Sequence, residues 1–377
     1  MYFFGASTFA LFPKGVILFS YTISTSSVSR MFLSITSIFL ILRISLDILI
    51  KVSLHVYDVR ITRKKAQQPL DALKTVRKEV FEGRKSRYSS TEWGRTRKKV
   101  NERLKRLYSF VEEAVSSIHI AKRRGRPKKL DLEKRTILFL FTKMIGKSNR
   151  VTEELLEFFE PFFGFKVNYK YIERLYSDEQ VNLALHNVFY LLLSTEGISG
   201  EFAGDGTGYS LLITTHYRSN PKKRAKDYTF AFRMIDVVTG MYVACGYSSR
   251  SEMDAFRKAL IMLSDRGISI DSISLDKYYS SRKVLDLFHR KTTVFLIPKD
   301  NIAKIGVKWA RIIKRIIKDP VKYLETYFKR NLSETGFSSD KRRFGWILPQ
   351  KRRDRQEMAM FAIALLHNIF AVRVIPQ

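Results

Sequence analysis

Cysteine is nearly absent. Cys245 is the single one in 377 residues, so no disulfide can close within the chain and no cysteine cluster can hold zinc. The six histidines are scattered, with neither a His-x-x-x-His pair nor a Cys–His pairing at ligand spacing. Any bound metal must therefore be gathered by carboxylates. Acidic side chains are also in short supply, 36 against 68 Lys and Arg, which leaves a formal net charge of +32. That excess predicts a polyanionic partner, nucleic acid ahead of an anionic membrane surface, because each neutralised phosphate releases condensed counterions. Affinity is expected to fall steeply with salt. Cysteine poverty suits a reducing compartment, and the expected location is cytoplasmic and nucleoid-associated.

A clean membrane span is missing too. Residues 1–57 are rich in Phe, Leu, Ile and Ser, but the best apolar run, 31–50, is interrupted by Arg43 and Asp47, and a spanning helix needs about 20 mostly apolar residues. No short apolar core precedes a small-residue cleavage site either. Three readings fit this leader: a poor anchor, an amphipathic arm, or translation assigned from a start codon too far upstream. The last is favoured, and a membrane partner is not expected.

From 58 to 129 the chain is basic and helical in pattern, with Thr91 placed to cap a helix whose apolar positions recur at three and four residues through Val115. It closes on a cationic run containing Arg124, Gly125, Arg126 and Pro127, where Gly and Pro forbid a continuing helix. Arg-Gly-Arg-Pro resembles an AT-hook, whose arginines enter the minor groove of A/T-rich DNA; a solvated basic linker is the plainer reading. Residues 130–196 read as a bundle of about four helices, over 130–145, 151–163, 168–176 and 178–193. The short third one, with Tyr169, Lys170 and Arg174, suits the recognition helix of a helix-turn-helix, although aromatic residues at helical spacing more often face a core.

After Gly197 the period changes. Strands are expected over 201–205, 228–238 and 241–247, a helix over 252–265, a strand over 270–275, a helix over 281–289, a strand over 292–297, then helices over 302–317, 321–338 and 354–374. This order describes an α/β domain spanning 197–377, a ribonuclease-H-like mixed sheet with flanking helices, behind an all-α N-terminal region.

Three acids sit at informative places. Asp205 closes the first strand in Gly-Asp-Gly-Thr-Gly, and Asp276 closes the fourth in Ser-Leu-Asp-Lys; adjacent strands would bring the two side by side. Singly, the first reads as a turn residue and the second as a helix cap. Glu334 follows Tyr327 and Arg330 and precedes Lys341 at intervals of three, four and seven, which on one continuous helix gather all four in a stripe roughly 60° wide.

The pattern Tyr-x2-Arg-x3-Glu-x6-Lys resembles the signature of DDE transposases of prokaryotic cut-and-paste insertion sequences, and Tyr327, Arg330, Glu334 and Lys341 match its fixed positions. Asp205 in Asp-Gly-Thr-Gly and Asp276 in Asp-Lys-x-Tyr look like the same family, with Tyr278 where glycine is usual. The resemblance covers residues 125 to 370. It implies that Asp205, Asp276 and Glu334 hold two Mg²⁺ or Mn²⁺ ions, and that Tyr327, Arg330 and Lys341 contact DNA phosphates. It further implies that double-stranded DNA at transposon ends and target is the substrate, and that a homodimer forms in the synaptic complex. Water would cleave the transposon end and the freed 3′-hydroxyl would attack the target. The 57 residues between Asp276 and Glu334 leave little room for a large strand-rich insertion. Two other readings predict the same charge: a catalytically inactive or domesticated DNA-binding derivative, and a membrane-associated protein with a basic domain.

Overall fold

The structure, a computed structural model, describes residues 60–61, 63–78, 90–119, 128–211, 228–299 and 304–370. The hydrophobic leader and the AT-hook-like Arg124–Gly125–Arg126–Pro127 stretch lie outside the described residues.

Strand β1 (Arg60–Ile61) opens the described chain and pairs antiparallel with β7 (Lys304–Ile305), far along the sequence. The region expected to be wholly helical thus contributes a short strand. Helices α1 (Arg63–Val76) and α2 (Ser90–Ser116) follow. The next helices are α3 (Leu132–Ile145), α4 (Asn149–Phe158), α5 (Glu160–Phe163), α6 (Tyr169–Leu175) and α7 (Glu179–Glu196). Their limits are set by local chemistry. Asp131, Ser148, Asn168 and Asp178 each accept a backbone N–H as N-caps, and Gly146 ends α3 in the left-handed region at φ 66°. The helix expected over 151–163 is two, broken where Phe159 leaves helical geometry and Pro161 starts a new turn.

The sheet begins with β2 (Glu201–Leu211), β3 (Tyr228–Asp236) and β4 (Tyr242–Ser248), an antiparallel meander. Helix α8 (Glu252–Asp265) leads to β5 (Ser272–Leu275), a 3₁₀ turn at Lys277–Tyr279, α9 (Arg282–Asp286) and β6 (Thr293–Phe295). Then come β7, α10 (Val307–Lys318), α11 (Pro320–Phe328), α12 (Asn331–Phe344), β8 (Ile347–Leu348) and α13 (Arg353–Phe370). The main order is β4-β3-β2-β5-β6, with β5 and β6 parallel to β2, so the sheet is mixed and helices cover it.

Two departures from the expected elements shape the surroundings of the acids. Strand β2 does not end at Asp205; it continues to Leu211, paired with β3 along its length. Its other edge carries β5 only through Gly204 and β8 only from Ser210, so residues 205–209 have no strand partner there among the described residues. The helix expected over 321–338 also breaks, at Lys329 and Arg330, where 3₁₀-type bonds from Leu332 N–H to Lys329 C=O and from Ser333 N–H to Arg330 C=O replace helical ones. Tyr327 therefore lies on a different helix from Glu334 and Lys341, and the single-stripe argument fails for it. Gly336 does not end α12. It is small because the Tyr242 hydroxyl would lie 2.6 Å from any Cβ there.

Helix α13 ties the layers together. Every residue from Met358 to Ile369 is buried, as expected of a helix enclosed on all sides. On the opposite face of the sheet, α8 presses so closely on β4 that a Cβ at Gly246 would sit 1.9 Å from the Ala255 carbonyl oxygen and 2.6 Å from the Ala259 nitrogen. Both are helix backbone and cannot step aside. Gly246→Ala is expected to lower stability by about 3 kcal/mol or more, read as a shifted urea midpoint; an unchanged midpoint would mean that α8 rides higher than described.

Candidate active site

Asp205 lies at the start of the stretch of β2 whose second edge has no strand neighbour among the described residues. The parallel register sets Gly204 against Leu275, so Asp205 and Asp276 each follow immediately on neighbouring strands. The glycines around Asp205 make room for side chains from other elements. The position of a Cβ at Gly204 is filled by Phe232 and Leu275, and that at Gly206 by the carboxylate of Glu252, whose Cδ would lie 2.2 Å away. Asp276 also caps the 3₁₀ turn, accepting the Tyr278 N–H at 3.4 Å; the plainer reading of this residue as a cap therefore holds alongside its place at the site.

Arg330 links two of the acids. Its guanidinium Nη1 donates to Glu334 Oε1 at 2.6 Å and stands 3.7 Å from Asp276 Oδ1. The break that starts α12 thus places Arg330 between the strand end and the helix. Tyr327 lies 4% exposed beneath it, with Arg330 Cζ 5.4 Å from the ring centroid. Lys341 donates to Thr207 Oγ1 at 2.6 Å and to the Gly208 carbonyl at 3.1 Å, so it bonds to β2 within the stretch that lacks a strand neighbour.

Burial pushes the Asp205 carboxyl up to about 6; the Gly206 N–H opposes this, while nearby Glu334 and Glu252 add to it. A half-buried acid facing two more acids is an arrangement that a cation would relieve. The donor set is all oxygen and suits a hard divalent ion. Among the described residues, however, no three Asp, Glu, His or Cys side chains close into a ready cage. Glu334 is turned to Arg330 instead. The residues fit the ion chemically, provided that Glu334 exchanges its arginine partner for metal.

Sequence reasoning missed two contributors. Glu252, in the first turn of α8, accepts a 2.5 Å hydrogen bond from the Tyr279 hydroxyl; only an acid just after a cap residue hinted at it. Helix α1 also walls the site. A cleft of about 770 Å³ runs between Lys74 and Arg77 on one side and Asp276, Arg330 and Glu334 on the other. Nothing in the basic N-terminal region announced that neighbour.

The other candidate residues lie elsewhere. Tyr169, Lys170 and Arg174 are on α6; Lys170 and Arg174 are exposed, and Tyr169 is half-buried with Arg150 Cζ 5.2 Å from its ring centroid. No helix among the described residues is long and apolar enough to cross a membrane.

No protein-family model matches the chain. The probable transposase for insertion sequence element ISA1214 of Archaeoglobus fulgidus is 60% identical to it over 316 residues, covering 84% of this chain and 98% of that protein. Identity at that level across nearly all of the relative extends through both the helical layer and the sheet. The chain belongs to the family of insertion-sequence transposases.

Proposed function

We propose that this transposase is of the DDE type, that its sheet domain is ribonuclease-H-like, and that Asp205, Asp276 and Glu334 hold two Mg²⁺ or Mn²⁺ ions at the ends of double-stranded DNA. One observation carries the reading: β2 and β5 run parallel in a register that makes Asp205 and Asp276 neighbours, and Arg330 ties Asp276 to Glu334 on the helix above. When bound, the ions would supply Lewis-acid stabilisation to the attacking and leaving oxygens of a phosphodiester.

The chain's own groups supply the rest. Arg330 offers a planar fork to a phosphate once Glu334 is released. Lys341 brings a point charge to the same edge. Lys74, Arg77 and Lys277 line the cleft and attract the backbone entering it. Hydrolysis at the transposon end leaves a 3′-hydroxyl, which then attacks target DNA; a homodimer would hold both ends.

A labelled duplex bearing the element's terminal sequence tests this. We expect Mg²⁺-dependent nicking that leaves a 3′-hydroxyl, with no product in EDTA. Cleavage in EDTA would overturn the metal reading, and tight binding without cleavage in either ion would return the inactive DNA-binding derivative.

A further inference from the structure

The last turn of α3 holds a lysine that its surroundings do not explain. Lys143 is 7% exposed. No hydrogen bond or ion pair reaches its ammonium among the described residues, and its aromatic neighbour, the Tyr176 ring, lies 5.9 Å from Nζ. Burial pushes its pKa down to about 8, which still leaves it mostly protonated at neutral pH. A largely buried lysine thus turns its charge to a cleft with no acid placed to meet it.

Lys143 lines a cleft of about 730 Å³ between the α3–α4 corner and the segment that joins α12 to α13. Lys147, Lys351, Arg352 and Arg355 line it as well, against Glu173 alone of the acids. Glu173 is already paired with Arg355 and Arg352 with Asp354, which leaves Lys143, Lys147 and Lys351 to make the balance positive. The N-terminus of the ten-residue α4 opens on the same cleft, adding its partial positive charge. Trp346 stands at the rim, 55% exposed. The cleft borders the strand that carries Asp205: β8, which follows Trp346 directly, pairs with Ser210 and Leu211 of β2, and at about 3.3 Å per residue Ser210 is roughly 17 Å along that strand from Asp205.

We infer that this cleft is a DNA phosphate pocket, in which Lys143 takes a backbone phosphate of the bound duplex and Trp346 packs on the neighbouring sugar or base. It rests on the DNA-cleaving reading only for the identity of the polyanion. The partner is duplex DNA held along β2, with the buried ammonium as the fixed end of the contact.

The test is equilibrium binding of the full chain to terminal duplex in EDTA, which makes the result independent of the carboxylates and separates it from any failure of the cleavage reading. Lys143→Met keeps the volume and removes the charge. We expect it to raise the melting temperature of the free protein while weakening DNA binding about tenfold, with the slope of log K against log salt shallower by about one. Trp346→Ala is expected to weaken binding with the slope unchanged. In wild type, duplex should protect Lys143 from acylation and inorganic phosphate should not. Unchanged affinity and slope in Lys143→Met would overturn the inference, as would protection by inorganic phosphate alone.

Discussion

Asp205→Asn is expected to abolish strand cleavage, by about a thousandfold or more, while leaving DNA affinity in EDTA intact and making the metal-free protein more stable. The two effects have one cause. Asp205 is held where burial and two neighbouring acids oppose its charge, raising its pKa to about 6. An acid raised in the folded state adds stability below its unfolded pKa and loses it as pH climbs through the folded value. Metal-free wild type should therefore lose stability between about pH 4 and pH 6.5 through this group. The full shift corresponds to about 3 kcal/mol, and solvent access to the corner reduces the expected cost to about 1–2 kcal/mol. Asparagine keeps the shape and removes that cost. Mg²⁺ or Mn²⁺ should raise the melting temperature of wild type at pH 7 and leave that of Asp205→Asn unmoved. A variant still stabilised by the ions would take Asp205 out of the ligand set, whatever its cleavage rate.

Asp340→Ala is expected to produce the largest loss of stability, about 3–5 kcal/mol. Asp340 lies on the buried face of α12, where it accepts from Arg233 Nη1 at 2.5 Å and from the Tyr242 hydroxyl at 2.9 Å, and meets His367 Nδ1 at 2.7 Å. Arg233 is wholly buried, opposite Asp205 across β2 and β3. Without the aspartate its guanidinium would keep only the Met360 carbonyl at 3.1 Å and the faces of Tyr242, Phe337 and Tyr209 at 5.0 to 5.8 Å. Burial alone would raise the Asp340 carboxyl, but His367, Arg233 and Tyr242 together hold it below the usual carboxylate range. Its contribution is therefore complete above about pH 4 and is lost as the solution is acidified below that. The same substitution frees the helix carrying Glu334 and Lys341, so cleavage should fall even at temperatures where the variant stays folded. Replacing Arg233 and Asp340 together by Met and Leu should recover most of the stability. A double variant no better than Asp340→Ala would show that the pair does not carry the effect.

How much of this was legible in the sequence depends on which side chains show a pattern. The succession of strands and helices was readable because β3, β4 and β5 are bounded by turn and cap residues and filled with apolar ones. The extension of β2 was not: Gly204, Gly206 and Gly208 occupy one face, and side chains of Phe232, Glu252 and Tyr228 stand where their own would be. The break before α12 was equally silent, since no Pro or Gly occupies 329 or 330 and the apolar spacing runs straight through. Buried Arg103, bonded to Glu196 and the Asn368 carbonyl at 2.9 Å each, could not be told from the many surface cations around it. The acidic positions themselves were visible, and the parallel register of β2 and β5 sets Asp205 and Asp276 just past a shared pair of strand residues.

Because α13 supplies His367 to the network around Asp340 and Asn368 to the Tyr242 backbone on β4, neither layer can finish closing until α13 is in place. A polypeptide without it would leave Asp340 short of one partner and the edge of β4 without its side-chain bonds. Truncation before α13 is therefore expected to cost the protein its cooperative unfolding transition, whatever its affinity for DNA.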